Sequence, residues 1–138
     1  VIGRSSSDFV WGSNAVAANQ AMALLIAYRL AGDAAYFDAA CANLDYLVGR
    51  NATGLCFVTG FGDLPPYHPH HRPSQSDNVA QPVPGLLVGG PNPGQEDGLS
   101  YPSNLPARSY LDRFESFASN EIAINWNAAL VFLLAGAR

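Results

Sequence analysis

Ser13-Asn-Ala-Val-Ala-Ala-Asn-Gln-Ala-Met-Ala-Leu-Leu-Ile-Ala-Tyr-Arg-Leu-Ala31, then Gly32-Asp33, then Ala34-Ala-Tyr-Phe-Asp-Ala-Ala-Cys-Ala-Asn-Leu-Asp-Tyr-Leu-Val-Gly49, is the stretch on which the fold turns. It reads as two helices. Ser13 or Asn14 can cap the first through a side-chain oxygen. From Ala15 to Ala31 the helix is apolar almost all round, with Asn19, Gln20 and Arg29 as exceptions. A helix without a polar face is buried on most sides. Gly32 ends it and Asp33 caps the next. The second helix puts Phe37, Ala40, Cys41, Leu44, Leu47 and Val48 on one stripe and leaves Asp38 and Asp45 elsewhere, so one side is wet. Gly49 stops it. An inner helix followed by an outer one is the repeating unit of a double-layered helical barrel, and the fold class is all-α.

Outward from this pair the character changes. All ten prolines lie between Pro65 and Pro106, and most of the thirteen glycines lie between Gly54 and Gly98. Proline removes a donor and clashes with the preceding turn, so regular helix is improbable from 51 to 118. A loop region this long inside a compact domain is functional or disordered. Phe57, Phe61, Tyr67, Tyr101, Tyr110 and the run Leu86-Leu-Val88 favour order. Beyond it, residues from about Asn120 to Ala135 form the last helix, again nearly apolar all round.

Glu121 stands at the mouth of that apolar segment. A carboxyl against Ile122 and Trp126 resists ionisation, because burial disfavours the charged form. A carboxylic acid that keeps its proton near neutral pH can give it to a leaving group. Alternatively Glu121 is a first-turn residue answering the positive end of the helix dipole. The two readings pull its acidity in opposite directions, and burial and neighbours decide between them.

A second polar cluster is Tyr67-His-Pro-His-His-Arg-Pro73, which holds all three histidines. Imidazole is a common ligand for transition metals, but spacings of one and two residues between prolines converge poorly on one ion. Alternatives are a solvated polar turn, or a rim of imidazole and guanidinium donors for a hydroxyl-rich ligand. Hexoses have apolar faces and polar edges, so flat aromatics with such donors suit them. A serine triad is discounted, since no G-x-S-x-G elbow is present.

Composition narrows the classes. The 138 residues make one domain at most. Apolar residues are 49% and charged residues 13%, so many side chains need cover. The seven basic residues are all arginine, the net charge is -4 and no basic cluster exists. This argues against a nucleic-acid or anionic-membrane partner. The longest strictly apolar run, Ala128 to Ala135, is too short to span a bilayer. Cys41 and Cys56 lack metal-type spacing; they pair in an oxidising compartment or stay as buried thiols. Asn51-Ala-Thr53 fits a glycosylation sequon, a pattern common by chance.

Several of these segments together resemble glycoside hydrolase family 9, the endoglucanase and cellulase family. One motif is Phe57-Val-Thr-Gly-Phe-Gly62 running into Pro69-His-His-Arg-Pro-Ser74. The other is Tyr110-Leu-Asp112, Phe117 and Asn120-Glu-Ile-Ala-Ile-Asn-Trp-Asn-Ala128. Pro84-Gly-Leu-Leu-Val-Gly-Gly-Pro-Asn92 and Phe9-Val-Trp-Gly-Ser-Asn14 resemble the family too. The departure is Asp63-Leu-Pro-Pro-Tyr-His68, where the family varies.

The resemblance implies a partial (α/α)6 barrel, with residues 1–138 as the C-terminal part of a catalytic module, and hydrolysis of β-1,4-glucan with inversion. On matching positions Glu121 is the general acid. His70 and Arg72 hold the sugar at the scissile bond, with Tyr67 and Tyr110 also at the substrate. Asp112 is the accompanying carboxylate, which orients neighbours or influences the acid and does not activate water. The family's base belongs to an Asp-Ala-Gly-Asp type motif that this sequence lacks, so the chain alone is expected to have little or no activity. The alternative is a non-catalytic carbohydrate-binding or assembly module. No cofactor is required; the resemblance leaves room for calcium in the whole module, and adventitious metal capture at His68, His70 and His71 is a further expectation. The partner is β-1,4-glucan, with no nucleic acid and no membrane. Apolar helices cut from their neighbours drive association, so a homo-oligomer is expected, a domain-swapped dimer included. An extracellular location follows from the insoluble substrate. Endo versus processive action and the preferred glucan are not legible.

Overall fold

A computed structural model describes residues 2–3 and 5–137. It is helical, and among the described residues isolated bridges take the place of strands. Three long helices dominate: α1 (Ser13–Ala31), α2 (Ala34–Leu47) and α5 (Ile124–Gly136). Two short ones, α3 (Arg72–Ser76) and α4 (Phe117–Asn120), lie in the connecting region. The α3 turn interrupts a stretch whose prolines argue against helix; Pro73 lies in its first turn, where no N–H is needed.

The first pair forms as its sequence predicts, apart from the opening cap. Gly32 takes a left-handed conformation and its N–H donates to the Tyr28 carbonyl at 2.8 Å. Asp33 Oδ1 accepts from the Ala35 N–H at 2.9 Å. The N-cap of α1 is Gly12, with φ 80°, and neither Ser13 nor Asn14 caps through its side chain. Asn14 is spent elsewhere: its N–H donates to the Gly89 carbonyl at 2.9 Å and its Nδ2 to the Val88 carbonyl at 2.9 Å. Gly12 is needed where it stands, since a Cβ there would lie 2.9 Å from the Trp126 ring as well as demanding a positive φ.

The core lies where α1 meets α2 and α5. Ala17, Ala18 and Ala21 of α1 are wholly buried, and Leu25, Ala40, Leu47, Leu130 and Leu133 fill the space around them. Small side chains on α1 let its neighbours approach closely. Asn43, also wholly buried, donates from Nδ2 to the Ala17 carbonyl at 2.9 Å and accepts the Ile2 N–H at 3.1 Å. A buried amide needs such partners.

The helices that are apolar all round carry the open apolar surface expected of them: Leu30 of α1 is 84% exposed and Ile124 of α5 is 90% exposed, with Ile26, Val131, Phe132 and Leu134 open as well. One expectation is corrected: the last helix begins later than Asn120. Its turn breaks at Glu121, with φ −68° and ψ 149°, and α5 starts at Ile124. The backbone of 121–123 is used sideways instead, bridging Glu121 to His70 and Ile122 to Val88.

Cys41 and Cys56 are free thiols. Burial, then the Asp38 and Asp45 carboxylates, push the Cys41 thiol above its ordinary value. The sequon asparagine is occupied as a turn former: Asn51 Nδ2 donates to the Tyr46 and Leu55 carbonyls at 2.7 and 2.8 Å. Its Oδ1 accepts from Thr53 and Gly54.

Candidate active site

The break after α4 is what presents Glu121. The His70 N–H donates to the Asn120 carbonyl at 2.8 Å on one side. On the other, the Gly89 N–H donates to the Glu121 carbonyl at 3.0 Å and the Gly90 N–H to the Ser119 carbonyl at 2.8 Å. Glu121 is thus gripped between two loops and is not a first-turn helix residue. Gly90 has φ 96°, and a Cβ there would meet Asn14 Oδ1 at 2.4 Å, so only glycine lets α1 come this close to the loop. Glu121 is half-buried as a residue, and its Oε2 accepts the Trp11 indole N–H at 3.1 Å on the exposed side.

Asn120 is the hub beneath it. Wholly buried, it accepts the Tyr110 hydroxyl on Oδ1. Its Nδ2 donates to the His68 carbonyl at 2.7 Å and to Asp112 Oδ1 at 3.0 Å. Asp112 in turn accepts the Tyr67 N–H on Oδ2 at 2.7 Å and the His68 N–H on Oδ1 at 2.9 Å. Its oxygens are filled by the 67–68 backbone, so Asp112 fixes the path of the histidine loop.

His70 is held by its other edge. Its Nδ1 lies 2.6 Å from the Phe114 carbonyl. A carbonyl only accepts, so Nδ1 carries the proton and Nε2 of the neutral ring is an acceptor. The ring packs on Phe114 at 5.0 Å and on Phe117 at 6.2 Å. Arg72 opens α3 and is exposed, with His71 before it bonded to Ser74 Oγ at 2.8 Å. Tyr67 is exposed.

Tyr110 does not join this surface. It is 4% exposed, its ring edge meets Phe57 at 5.3 Å and its hydroxyl is spent on Asn120. Burial, followed by the Asp112 charge, pushes its phenol well above the ordinary value. The expectation that it touches substrate is corrected to support of Asn120. The three histidines do not converge either. Among the described residues no three His, Cys, Asp or Glu side chains gather as a metal cage requires.

A remote carboxylate pins the start of α4, which has no side-chain cap of its own. Asp97 Oδ2 accepts from Tyr101 at 2.6 Å, from Ser116 Oγ at 3.0 Å and from the Ala118 N–H at 3.3 Å. Burial pushes the Asp97 carboxyl up, but the hydrogen bonds from Tyr101, Leu99, Ser116 and Ala118 together outweigh it and hold it below its ordinary value.

The whole of this arrangement matches one family. The model of glycosyl hydrolase family 9 matches residues 3–134. The chain belongs to glycosyl hydrolase family 9. A xyloglucan-specific endo-β-1,4-glucanase of Bacteroides ovatus is 54% identical over 132 residues, covering 95% of this chain and 22% of its own length. Endoglucanase D of Acetivibrio thermocellus is 39% identical over 130 residues, covering 94% of this chain and 19% of its own. Among solved structures, a family 9 protein of Bacteroides ovatus superposes with a TM-score of 0.88 at 48% identity, covering 98% of this chain and 23% of that one. The family 9 chain thus spans about a fifth to a quarter of the proteins it matches.

Trp11, Asn120 and Asp97 make contacts to Glu121, Asp112 and α4 that motif reading left without a role. Trp11 and Glu121 lie 110 residues apart, so no local spacing joins them. The one available signal is positional: Trp11 precedes a glycine at the start of an apolar helix, where a backbone turn projects its side chain past the helix end.

Proposed function

We propose that this chain is the acid-bearing C-terminal part of an inverting β-1,4-glucanase whose catalytic module is a complete (α/α)6 barrel. The observation that carries this reading is the presentation of Glu121. It leaves the helix in an extended segment, is bridged to His70, and has one carboxyl oxygen held by an indole N–H. That is how a proton donor is aimed at a leaving group.

In this mechanism Glu121 protonates the glycosidic oxygen as the C–O bond breaks. Water attacks the anomeric carbon from the opposite face and loses its proton to a base. Inversion requires about 6.5–9.5 Å between the two carboxyl groups to admit that water. The base comes from sequence outside this chain. His70 and Arg72 hold hydroxyls of the sugar at the scissile bond, and the exposed Tyr67 offers a flat face to the ring. Asp112 sets their loop. Xyloglucan, on which the Bacteroides ovatus relative acts, belongs in the substrate panel beside cellulose and soluble β-glucans. Secretion follows from substrates of this size.

Glu121→Gln in the full-length protein is the decisive test. Hydrolysis of β-1,4-glucan is expected to fall roughly 10²–10⁴-fold while glucan binding survives. A full-length protein that binds glucan and cleaves none would transfer the assignment to a non-catalytic carbohydrate-binding module.

The open apolar faces of α1 and α5 are covered by the other helices of the barrel in the whole module, and by a second copy when the chain is isolated. Light scattering of the isolated chain at micromolar concentration should give twice the monomer mass; a monomer would count against association.

A further inference from the structure

We propose that Trp11 is a positioning residue for the acid, its indole N–H selecting which oxygen of Glu121 delivers the proton. This inference rests on the assignment of Glu121 as general acid. Indole nitrogen donates and never accepts. With Trp11 Nε1 3.1 Å from Oε2, Oε2 is the accepting oxygen, and Oε1 is the oxygen left free to carry the proton that the acid role requires. As the proton leaves, negative charge grows on the carboxyl group and the same contact becomes a charge-assisted hydrogen bond. An interaction that strengthens along the reaction lowers the barrier, whereas one of constant strength does not.

The surroundings hold the pair in register. The Glu121 carbonyl accepts the Gly89 N–H, and the Gly89 carbonyl accepts the N–H of Asn14, three residues beyond Trp11. One loop residue, Gly89, therefore ties the Glu121 backbone to the start of the helix that follows Trp11. The Trp11 ring rests on Phe117 at 5.4 Å, and Phe117 opens the short helix that ends at Glu121. Gly12, pressed under the Trp126 ring, fixes the turn from which Trp11 projects. The rival role for a tryptophan that is 42% exposed is a stacking platform for sugar. Leaving-group chemistry separates the two. A dinitrophenolate departs without protonation and needs no acid, whereas a sugar hydroxyl needs one.

Trp11→Phe keeps a ring on Phe117 and removes the N–H. The variant should be made in the full-length protein and assayed on a cello-oligosaccharide and on dinitrophenyl β-cellobioside. The expected result is a fall in kcat of about 10–100-fold on the oligosaccharide, and a change under about 3-fold on the activated substrate, with KM unaltered on both. Equal losses on the two substrates, or a loss confined to KM, would overturn the proposal in favour of stacking. No loss on either would overturn it outright. If the phenylalanine variant does not fold, replacement of Trp11 by benzothienylalanine, which has the same shape and no N–H, carries the same two-substrate comparison. Glu121→Gln run in parallel separates the layers. If that variant fails to discriminate between the substrates, the acid assignment itself is wrong; if it discriminates and the Trp11 variants do not, only the role of Trp11 falls.

Discussion

The α1–α2 hairpin and the proline-rich region that follows solve the same problem by opposite means. In the hairpin every interior backbone group is paired within its own helix, and stability comes from buried alanine and leucine. Yet these helices leave Ile26, Leu30 and Tyr36 open to solvent. In the loop region no regular ladder exists, but buried Asn92, Asn120, Ser109 and Ser119 answer the backbone with their side chains. Regular structure here is incomplete in its surface, whereas among the described residues the proline-rich region leaves no buried side-chain nitrogen or oxygen without a partner. The proposed acid, Glu121, sits on the second kind, where each polar side chain fixes one specific peptide.

That contrast can be broken from either side in the full-length protein. Leu133→Ala, in the wholly buried face of α5, removes packing only. It should cost about 2–5 kcal/mol of stability, read as a fall in the denaturation midpoint, while kcat per folded molecule is unchanged. Asn120→Ala strikes the hub instead. It leaves the Tyr110 hydroxyl and the His68 carbonyl without their partner, at about 1–3 kcal/mol for a buried unsatisfied group. Its effect on kcat should exceed tenfold, a rough figure for a misplaced acid, with helical circular dichroism preserved. Equal damage to kcat from both variants would erase the distinction.

The smallest effect is one of pH. The Asp97 carboxyl is held below its ordinary value of 3.8, so its network contributes fully above that pH and loses its contribution as pH falls through the lower folded value. Asp97→Asn should therefore lower the melting temperature at neutral pH, and the gap from the parent should close below pH 3.8. A gap that stays constant across that range would assign Asp97 a packing role without charge.

Much of the hairpin was legible because its signals are local. Gly32 and Asp33 act within four residues, as does the periodicity that separates α1 from α2. The opening cap was misread for a tertiary reason: Asn14 prefers the Val88 carbonyl to its own helix. The start of α5 was misread likewise, since helix propensity at Glu121 yields to bridges with His70 and Gly89. Tyr110 was assigned to substrate on motif position, while its burial depends on Phe57 and Asn120 arriving from distant segments. The histidine loop was recognised as polar and special; that its rings point to separate partners could not be read from a spacing of one or two.

From residue order alone came the all-α class, the two-helix repeat, the ordered proline-rich insertion and the family motifs around Glu121. Each depends on interactions within a turn or two, or on a pattern spelled out linearly. The tertiary structure alone decided that Glu121 leaves its helix, that Trp11 holds its carboxyl and that Asp112 secures the histidine loop. Those outcomes depend on hydrogen bonds and contacts between residues up to 110 positions apart, and side chains that far separated meet only after the backbone between them has folded.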